Sequence, residues 1–182
     1  EFTITSTTAN TATVVTIAED EVYSNANPNL VSNFTWTYDN IKPTISISGE
    51  RINGNSILTN AYNNDSYIKL LFNTSEDVSF GSSNIDLVNG TISNFRQLET
   101  KKYSVHLHPS SVGQVSALIP ANEVNDLAEN YNEASSNTFV WNYDNVSPTI
   151  NIYSNDISDN GSSDISSVTL IIEASEPING LT

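Results

Sequence analysis

The sequence predicts an all-β chain built from antiparallel β-sandwich modules, and three observations carry this prediction. Apolar and polar residues alternate in short runs along most of the chain, which is the period of a half-buried strand. Turn residues, chiefly Gly, Asn, Ser and Asp, separate these runs, and no run of helical period is long enough for a helix. Two stretches about a hundred residues apart are nearly the same, which is typical of a tandem array.

Composition limits the classes of protein to which the chain can belong. Asn, Ser and Thr supply 26, 26 and 18 of the 182 residues, and the formal net charge is −15. Such an acidic surface repels phosphates, so we expect no binding to nucleic acid. Hydrophobic residues make up 37% of the chain, which favours a folded core over disorder. The absence of Cys excludes disulfides and Cys nucleophiles, and the short apolar runs predict no membrane insertion of this segment.

The internal repeat defines the expected modules. The stretch from Phe34 to Ile45 matches the stretch from Phe139 to Ile150, an offset of 105 residues. Two weaker pairs have similar offsets: Ser75-Glu76 with Ser175-Glu176, and Val15-Thr16-Ile17 with Ala117-Leu118-Ile119. We therefore expect residues 1–42 to be the C-terminal part of one repeat, 43–147 a complete repeat, and 148–182 the N-terminal part of the next. Chain ends inside repeats favour an excerpt of a longer polymer of domains.

Seven or eight short strands are expected within the complete repeat. In chain order, their inward-facing residues are Ile45 and Ile47; Ile68, Leu70 and Phe72; Ile85 and Leu87; Ile92; Tyr103, Val105 and Leu107; Val115, Ala117 and Ile119; and Phe139, Trp141 and Tyr143. The dipeptide Asn89-Gly90 predicts a hairpin. About 100 residues of this pattern fit a sandwich of two antiparallel sheets.

The junctions between repeats are predicted to be short and stiff. Pro43 and Pro148 follow an Asp-Asn-x-x sequence, and proline fixes its own φ while it favours an extended conformation in the residue before it. A linker of two or three residues leaves adjacent modules little freedom. The array is therefore expected to be a semi-rigid rod.

Four further motifs occur in a fixed order: Ser75-Glu76 after a hydrophobic strand, the segment from Val88 to Phe95, the segment from Val124 to Asn130, and the linker from Tyr143 to Thr149. Together these motifs resemble the bacterial immunoglobulin-like repeats of large surface adhesins and of some protist surface proteins. The third motif usually reads Asp-x-Ala-Gly-Asn in the family, and here Glu129 replaces the Gly. The resemblance implies immunoglobulin-like antiparallel β-sandwich repeats in tandem, located outside the cell and without catalytic activity.

The resemblance also implies a calcium site. In the family-like arrangement Glu76, Asp126 and Asp144 would converge at one end of the sandwich, near the junction between modules. Ca²⁺ takes six to eight oxygen ligands, often loop carboxylates and carbonyls. The position of the first repeat that matches Asp126 is Ser24, so such a site would not recur uniformly. The alternative is that these acids are turn residues and solvated surface charge.

The Asn-x-Ser/Thr motifs offer candidate glycosylation sites. Six such motifs occur, and Asn64 and Asn160 in polar loops are the best candidates if the source is a eukaryote. The motif at Asn145 is disfavoured by Pro148 directly after it. The remaining candidates are Asn33, Asn73 and Asn89. Glycans there would shield polar β surface and oppose edge-to-edge association.

Other chemistry-bearing residues are assigned structural roles. His106 and His108 share the outward face of one strand, but a structural Zn²⁺ site needs four ligands and no third is evident. Arg96, Lys101 and Lys102 are interpreted as a solvated hairpin tip, with docking on an acidic neighbour as the alternative. Trp36 and Trp141 alternate with other aromatic residues and are expected in cores rather than on a sugar-binding surface. No nucleophile elbow or buried acid pair is recognisable, so no enzymatic activity is expected.

The sequence thus predicts a structural spacer array of an extracellular filament, stalk or surface adhesin. Its expected partners are the neighbouring repeats of the same chain and other copies in a surface assembly. The polar insertion at residues 50–65 is the first place to look for a contact between copies. The alternative function is a calcium-stiffened adhesion module that binds glycans or a cell-surface protein, and a third is a spacer of a large extracellular enzyme.

Overall fold

Strands dominate the structure, a computed structural model that describes residues 3–180. The short 3₁₀ helix Ser82–Asn84 is the helical element of this range. The predicted all-β class is confirmed. Within the same range no helix combines the length and hydrophobicity that a membrane crossing requires.

The chain divides into two compact units, the first ending at Asp144 and the second beginning at Asn145. The predicted boundary at residue 42 lies inside the first unit. The first part of this unit contains four strands: β1 (Thr11–Ile17), β2 (Tyr23–Ser24), β3 (Asn27–Pro28) and β4 (Ser32–Tyr38). Strands β1 and β4 pair antiparallel, as do β2 and β3.

The rest of the first unit contains eleven strands. They are β5 (Ile45–Glu50), β6 (Ser56–Ile57), β7 (Ala61–Asn63), β8 (Ile68–Thr74), β9 (Val78–Ser79), β10 (Asp86–Val88), β11 (Gly90–Glu99), β12 (Lys102–Pro109), β13 (Gly113–Leu118), β14 (Asn125–Asp126) and β15 (Phe139–Tyr143). The predicted longer strands are all present, and the additional ones are two or three residues long.

Two sheets organise this part of the unit. The five-stranded sheet has the order β11-β12-β8-β5-β6 with antiparallel neighbours, and the four-stranded sheet has the order β10-β13-β15-β7. Strand β7 pairs parallel to β15, whereas the other pairs of the four-stranded sheet are antiparallel. The polar insertion at residues 50–65 therefore supplies an edge strand to each sheet: β6 to the five-stranded sheet and β7 to the four-stranded sheet. Arg51 and Asp65 close this insertion with two hydrogen bonds of 2.8 and 3.0 Å.

The apolar faces of these two sheets share one core. Strand alternation buries one side of β5, β8, β12, β13 and β15, and the buried residues form a single cluster. The largest fully buried side chains are Trp141, Phe72 and Phe139. The predicted inward-facing residues belong to this core, with Leu87, Ile92 and Tyr143 partly buried at its margin.

The β1–β4 pair has the same register as the β13–β15 pair. Thr13 lies opposite Trp36 as Val115 lies opposite Trp141, and Val15 lies opposite Phe34 as Ala117 lies opposite Phe139. The surroundings differ, because no second sheet covers the apolar face of β1 and β4 within the described residues. Trp141 is fully buried, whereas Trp36 is half-buried and Phe34 is 67% exposed. The expectation that Trp36 packs in a closed core is therefore not met here.

The second unit contains β16 (Ile150–Tyr153) paired antiparallel with β17 (Ile171–Ala174). Ile150 lies opposite Ala174, just as Ile45 of β5 lies opposite Thr74 of β8. In both strand pairs, the residue before the first strand forms the same two hydrogen bonds with the residue after the second strand. The Ser75 N–H donates to the Thr44 carbonyl at 3.0 Å, and Ser75 Oγ accepts the Thr44 N–H at 2.9 Å. Ser175 forms the same two hydrogen bonds with Thr149, also at 3.0 and 2.9 Å.

Candidate metal centre

Three carboxylates converge in the first unit: those of Asp39, Glu76 and Asp126. One oxygen of each lies within 4.8 Å of the others. Asp39 directly follows β4, Glu76 comes two residues after β8, and Asp126 ends β14. The group lies in an open depression of about 300 Å³, which Asn10, Asp77, Lys101 and Leu127 also line.

Asp126 is the most firmly held of the three, with only 5% of its surface exposed. Its Oδ1 accepts the N–H groups of Ala128 and Asn130 at 2.8 and 2.9 Å, and its Oδ2 accepts Asn130 Nδ2 at 2.9 Å. Burial by itself raises the pKa of Asp126, but these hydrogen bonds outweigh it and hold the pKa below the ordinary Asp value. The Asp126 carboxylate is therefore held in place and in its ionised form at neutral pH.

The tight loop that positions Asp126 requires an unusual backbone conformation. Glu129 has φ 66°, in the left-handed region that glycine enters without strain. This conformation lets the loop return its Ala128 and Asn130 N–H groups to the Asp126 carboxylate.

Glu76 is positioned by the segment that follows β8. The hydrogen bonds between Ser75 and Thr44 fix the backbone just before it, and Thr74 Oγ1 donates to the Glu76 carbonyl at 2.7 Å. Burial raises the pKa of Glu76, and the negative charges of Asp39 and Asp126 raise it further, while Lys101 acts in the opposite sense. The pKa of Glu76 is raised overall, because burial and the neighbouring acids together outweigh the attraction of Lys101.

Asn130 links Asp39 to Asp126. Asn130 Nδ2 donates to the Asp39 carbonyl at 3.2 Å as well as to Asp126 Oδ2. The Asp39 carboxylate accepts the Ile41 N–H at 2.9 Å, and the Asn10 amide, with its nitrogen turned towards it, donates at 3.1 Å to Oδ1. Asp39 is thereby held at the edge of the depression.

The donor set fits a hard divalent cation. Ca²⁺–oxygen distances are about 2.3–2.6 Å, so two ligands of one ion lie at most about 5 Å apart. The mutual spacing of the three carboxylates is within 4.8 Å. A bound cation would relieve the repulsion that raises the Glu76 pKa. Three carboxylates supply three of the six to eight oxygens that Ca²⁺ takes, and carbonyls and water would complete the shell.

The structure brings together two of the three predicted ligands, Glu76 and Asp126, with Asp39 in place of Asp144. Strand β15 begins beside the start of β5, because Ser136 N–H donates to the Ile45 carbonyl at 2.8 Å. The C-terminal end of β15 therefore lies away from the three carboxylates, and Asp144 lies at that end. There the Asp144 N–H donates to the Asn63 carbonyl. The third carboxylate of the group thus comes from the linker before β5, at Asp39, and not from the linker after β15. The alignment of Tyr38-Asp39-Asn40 with Tyr143-Asp144-Asn145 was the signal that identifies it.

The two histidines are half-buried on the outward face of β12. The Tyr67 ring stacks on His106 with a centroid distance of 4.4 Å, and the Nε2 atoms of His106 and His108 lie 3.1 and 2.8 Å from Asn94 Nδ2 and Ser93 Oγ. Burial lowers the pKa of His106, and the nearby cations lower it further. Within residues 3–180 the two imidazoles join no group of three metal ligands.

The sequon asparagines differ in their accessibility. Asn33, Asn64, Asn73 and Asn160 are exposed. Asn89 is half-buried, and its Nδ2 donates to the carbonyls of Ser111 and Gln114 at 3.0 and 3.2 Å. A glycan on Asn89 would disrupt these contacts.

Asn132 is a structural residue that the sequence analysis did not single out. It is 1% exposed, its Oδ1 accepts the N–H groups of Glu123 and Val124, and its Nδ2 donates to the Pro120 and Glu133 carbonyls. Asn29 makes the corresponding contacts with Val22, Ala18 and Leu30. The Asn132 amide thus holds the loop that leads to Asp126, and the Asn29 amide holds the corresponding loop of the first segment.

Comparison with known proteins adds no relative: the sequence matches no family model, and neither a curated protein nor a solved structure is significantly similar to it.

Proposed function

We propose that these residues are part of a tandem array of immunoglobulin-like β-sandwich modules that acts as a structural spacer in an extracellular filament, stalk or surface adhesin. In this proposal the chain is not catalytic. Each module buries its own core, short linkers that contain proline connect the modules, and length comes from repetition.

The single observation that carries the proposal is the correspondence of registers between segments. The β1–β4 pair corresponds to β13–β15, and the β16–β17 pair corresponds to β5–β8, residue by residue. Two sheets that share one core, as in residues 45–143, are the architecture expected of such a module. The resemblance to bacterial immunoglobulin-like repeats agrees with this, and the left-handed Glu129 stands where that family usually has Gly.

Electron microscopy of the intact surface assembly tests the proposal. Antibody fragments raised against residues 43–144 should decorate a fibre or stalk on the cell surface. A label confined to material inside the cell, or a catalytic activity that maps to residues 43–144, would contradict it.

A second candidate function, a calcium-stiffened adhesion module that recognises glycans or a cell-surface protein, is favoured by the carboxylate group. Asp39 precedes the linker, whereas Glu76 and Asp126 belong to the module that follows it. A cation held by all three would connect the two sides of the linker. It would also neutralise part of a net charge of −15.

Titration calorimetry and thermal melting with Ca²⁺ or EGTA test this second candidate. A ligand that binds only the folded state at 100 times its Kd adds about 2.7 kcal/mol to the free energy of unfolding. The variants Asp39→Asn and Asp126→Asn should lose the heat of binding, and Asp86→Asn, an exposed acid on β10, should keep it. No response of the wild type at millimolar Ca²⁺ would eliminate the calcium function.

A further inference from the structure

A β-bulge at the edge of the five-stranded sheet lies next to a titratable side chain that the proposed function does not use. Strands β11 and β12 form the edge hairpin of this sheet, and Ser93 lies opposite His106. Pairing resumes with Arg96 opposite Ser104, so β11 advances three residues where β12 advances two. Asn94, inside the bulge, has φ 53°, a left-handed conformation that Asn tolerates better than most residues. The bulge therefore places a short amide side chain beside His106.

The hydrogen bonds around Asn94 form a chain with a fixed direction. Arg96 Nε donates to Asn94 Oδ1 at 2.8 Å, and Asn94 Nδ2 lies 3.1 Å from His106 Nε2. Because a guanidinium offers only donors, the Asn94 amide must turn its oxygen to Arg96 and its nitrogen to His106. An amide nitrogen in turn only donates, so His106 Nε2 must accept. This arrangement requires a neutral imidazole that carries its proton on Nδ1.

The neighbouring histidine, His108, is not restricted in this way. Its Nε2 lies 2.8 Å from Ser93 Oγ, and a hydroxyl can donate or accept, so this hydrogen bond persists in either protonation state. The Tyr67 ring contacts both imidazoles, with centroid distances of 4.4 Å to His106 and 5.4 Å to His108. His108 thus shares the strand face and the aromatic neighbour of His106, but its hydrogen-bond partner accepts both of its forms.

The charges on the adjacent strands also favour a neutral His106. Burial lowers the pKa of His106, and the positive charges of His108, Arg96 and Lys69 lower it further. Lys69 of β8 lies opposite His106 on one side and opposite Glu50 of β5 on the other. The Glu50 carboxylate forms an ion pair with Lys69 at 3.0 Å. The hydrogen-bond chain and the surrounding charges therefore act in the same direction.

We propose that Asn94 and His106 form a proton-sensitive latch on the edge strand β11: neutral His106 holds the bulge through Asn94, and protonation of His106 releases it. A protonated His106 presents an N–H at Nε2, so that two donors face one another. Asn94 cannot correct this by turning its amide over, because its nitrogen would then face the Arg96 guanidinium. The Asn94 side chain must leave one of its partners, and the bulge loses a contact that ties it to β12.

The direction of the pH effect follows from the two protonation states. While the bulge is closed, the pKa of His106 is below its ordinary value. Once the bulge opens, His106 titrates near the ordinary His pKa of about 6.5. The open form binds more protons between these two pKa values, so the closed form loses stability as the pH falls below about 6.5. We therefore expect residues 93–97 to open several-fold more often at pH 5 than at pH 7.5.

Nuclear magnetic resonance of the isotope-labelled chain tests the latch. Long-range proton–nitrogen spectra at pH 7.5 should show His106 with its proton on Nδ1. Amide exchange, corrected for its intrinsic pH dependence, should show several-fold less protection of residues 93–97 at pH 5 than at pH 7.5. His106→Gln should abolish this difference, because the amide oxygen of Gln can accept from Asn94 at either pH. His108→Gln is the matched control and should retain the difference.

Asn94→Asp should reverse the pH effect. Asp tolerates the same left-handed φ, and its carboxylate can accept from Arg96 and from protonated His106 together. The bulge of this variant should be better protected at pH 5 than at pH 7.5. The latch would be overturned by a His106 proton on Nε2 at pH 7.5, by wild-type protection that does not change with pH, by an Asn94→Asp variant that opens at pH 5 as the wild type does, or by a His108→Gln variant that loses the pH effect.

Discussion

Trp141 is the largest fully buried side chain of the core, and its indole N–H donates to Asn63 Oδ1 at 3.0 Å. We expect Trp141→Ala to lower the free energy of unfolding by about 3–5 kcal/mol, as large core truncations do. Urea denaturation followed by far-ultraviolet circular dichroism measures this loss.

The matched variant is Trp36→Ala, at the corresponding position of the first segment. Trp36 is half-buried on an open face, so less apolar surface returns to water and the loss should be clearly smaller. Equal losses for the two variants in dilute solution would contradict the assignment of Trp36 to an open face.

Glu76 and Asp126 should affect the pH dependence of stability in opposite ways. The pKa of Glu76 is raised in the folded state, so its contribution to stability is present below the ordinary Glu pKa and lost as pH rises through the folded value. The pKa of Asp126 is lowered, so its contribution is present above the ordinary Asp pKa and lost as pH falls through the folded value.

In EGTA at pH 7 we therefore expect Glu76→Gln to stabilise the protein and Asp126→Asn to destabilise it. Denaturation midpoints measured between pH 3 and 8 would reveal both effects: the effect of Glu76→Gln should disappear at the acid end, and that of Asp126→Asn should decrease there. Asp86→Asn is the control, with a profile close to that of the wild type. A Glu76→Gln variant less stable than the wild type at pH 7 without calcium would contradict the crowding of the three carboxylates.

Strand β5 is closely packed at Gly49. A Cβ at Gly49 would lie 2.6 Å from the Phe139 ring and 2.7 Å from Ile57, so a methyl group can be accommodated only if these side chains or β5 itself move. Gly49→Ala should cost about 1–3 kcal/mol, the usual penalty of overpacking. Chemical denaturation measures the loss.

Gly81→Ala is the control for this strand variant, because the nearest atom to its Cβ would be 3.7 Å away. Its φ of −138° is open to any residue, so its effect should be small. A harmless Gly49→Ala would show that β5 and β15 are further apart than described.

The longer strands could be predicted from sequence because alternation is a local signal. The side chains of β5, β8, β12, β13 and β15 lie on the expected faces. Of the strands of two or three residues in the complete repeat, β10 was predicted and β6, β7, β9 and β14 were not; β14 pairs with β9, and β7 pairs with β15 some 80 residues later. Periodicity needs several residues to be visible, and these strands are too short for it.

The candidate site was predicted in part for a similar reason. Glu76 and Asp126 each occur in a recognisable local motif, and the family-like arrangement placed them together. The third ligand depends on which end of the module the linker meets, and only the strand topology decides between Asp39 and Asp144. Asn132 gave no signal either, because a single Asn among 26 is conspicuous only once its buried contacts are known.

The charge of the whole molecule opposes its own folding at neutral pH. A net charge of −15 brings many carboxylates closer together in the folded chain than in the unfolded one. We expect NaCl to raise the melting temperature at pH 7 in the presence of EGTA, because salt screens this repulsion. Near pH 4.1, the sequence pI, the same salt should have little effect. A melting temperature that falls with NaCl at pH 7 would contradict this account.

The place of Asp39 has a mechanical consequence. Tension along the chain passes from β4 into β5 through Asn40–Pro43, and the contacts of Asp39 and Lys42 with Asn130 and Glu133 lie in parallel with that stretch. A cation on Asp39, Glu76 and Asp126 would share the load, so pulling would extract the ion before it unravels a strand. Such a junction would yield first and recover once the force is removed and the ion returns.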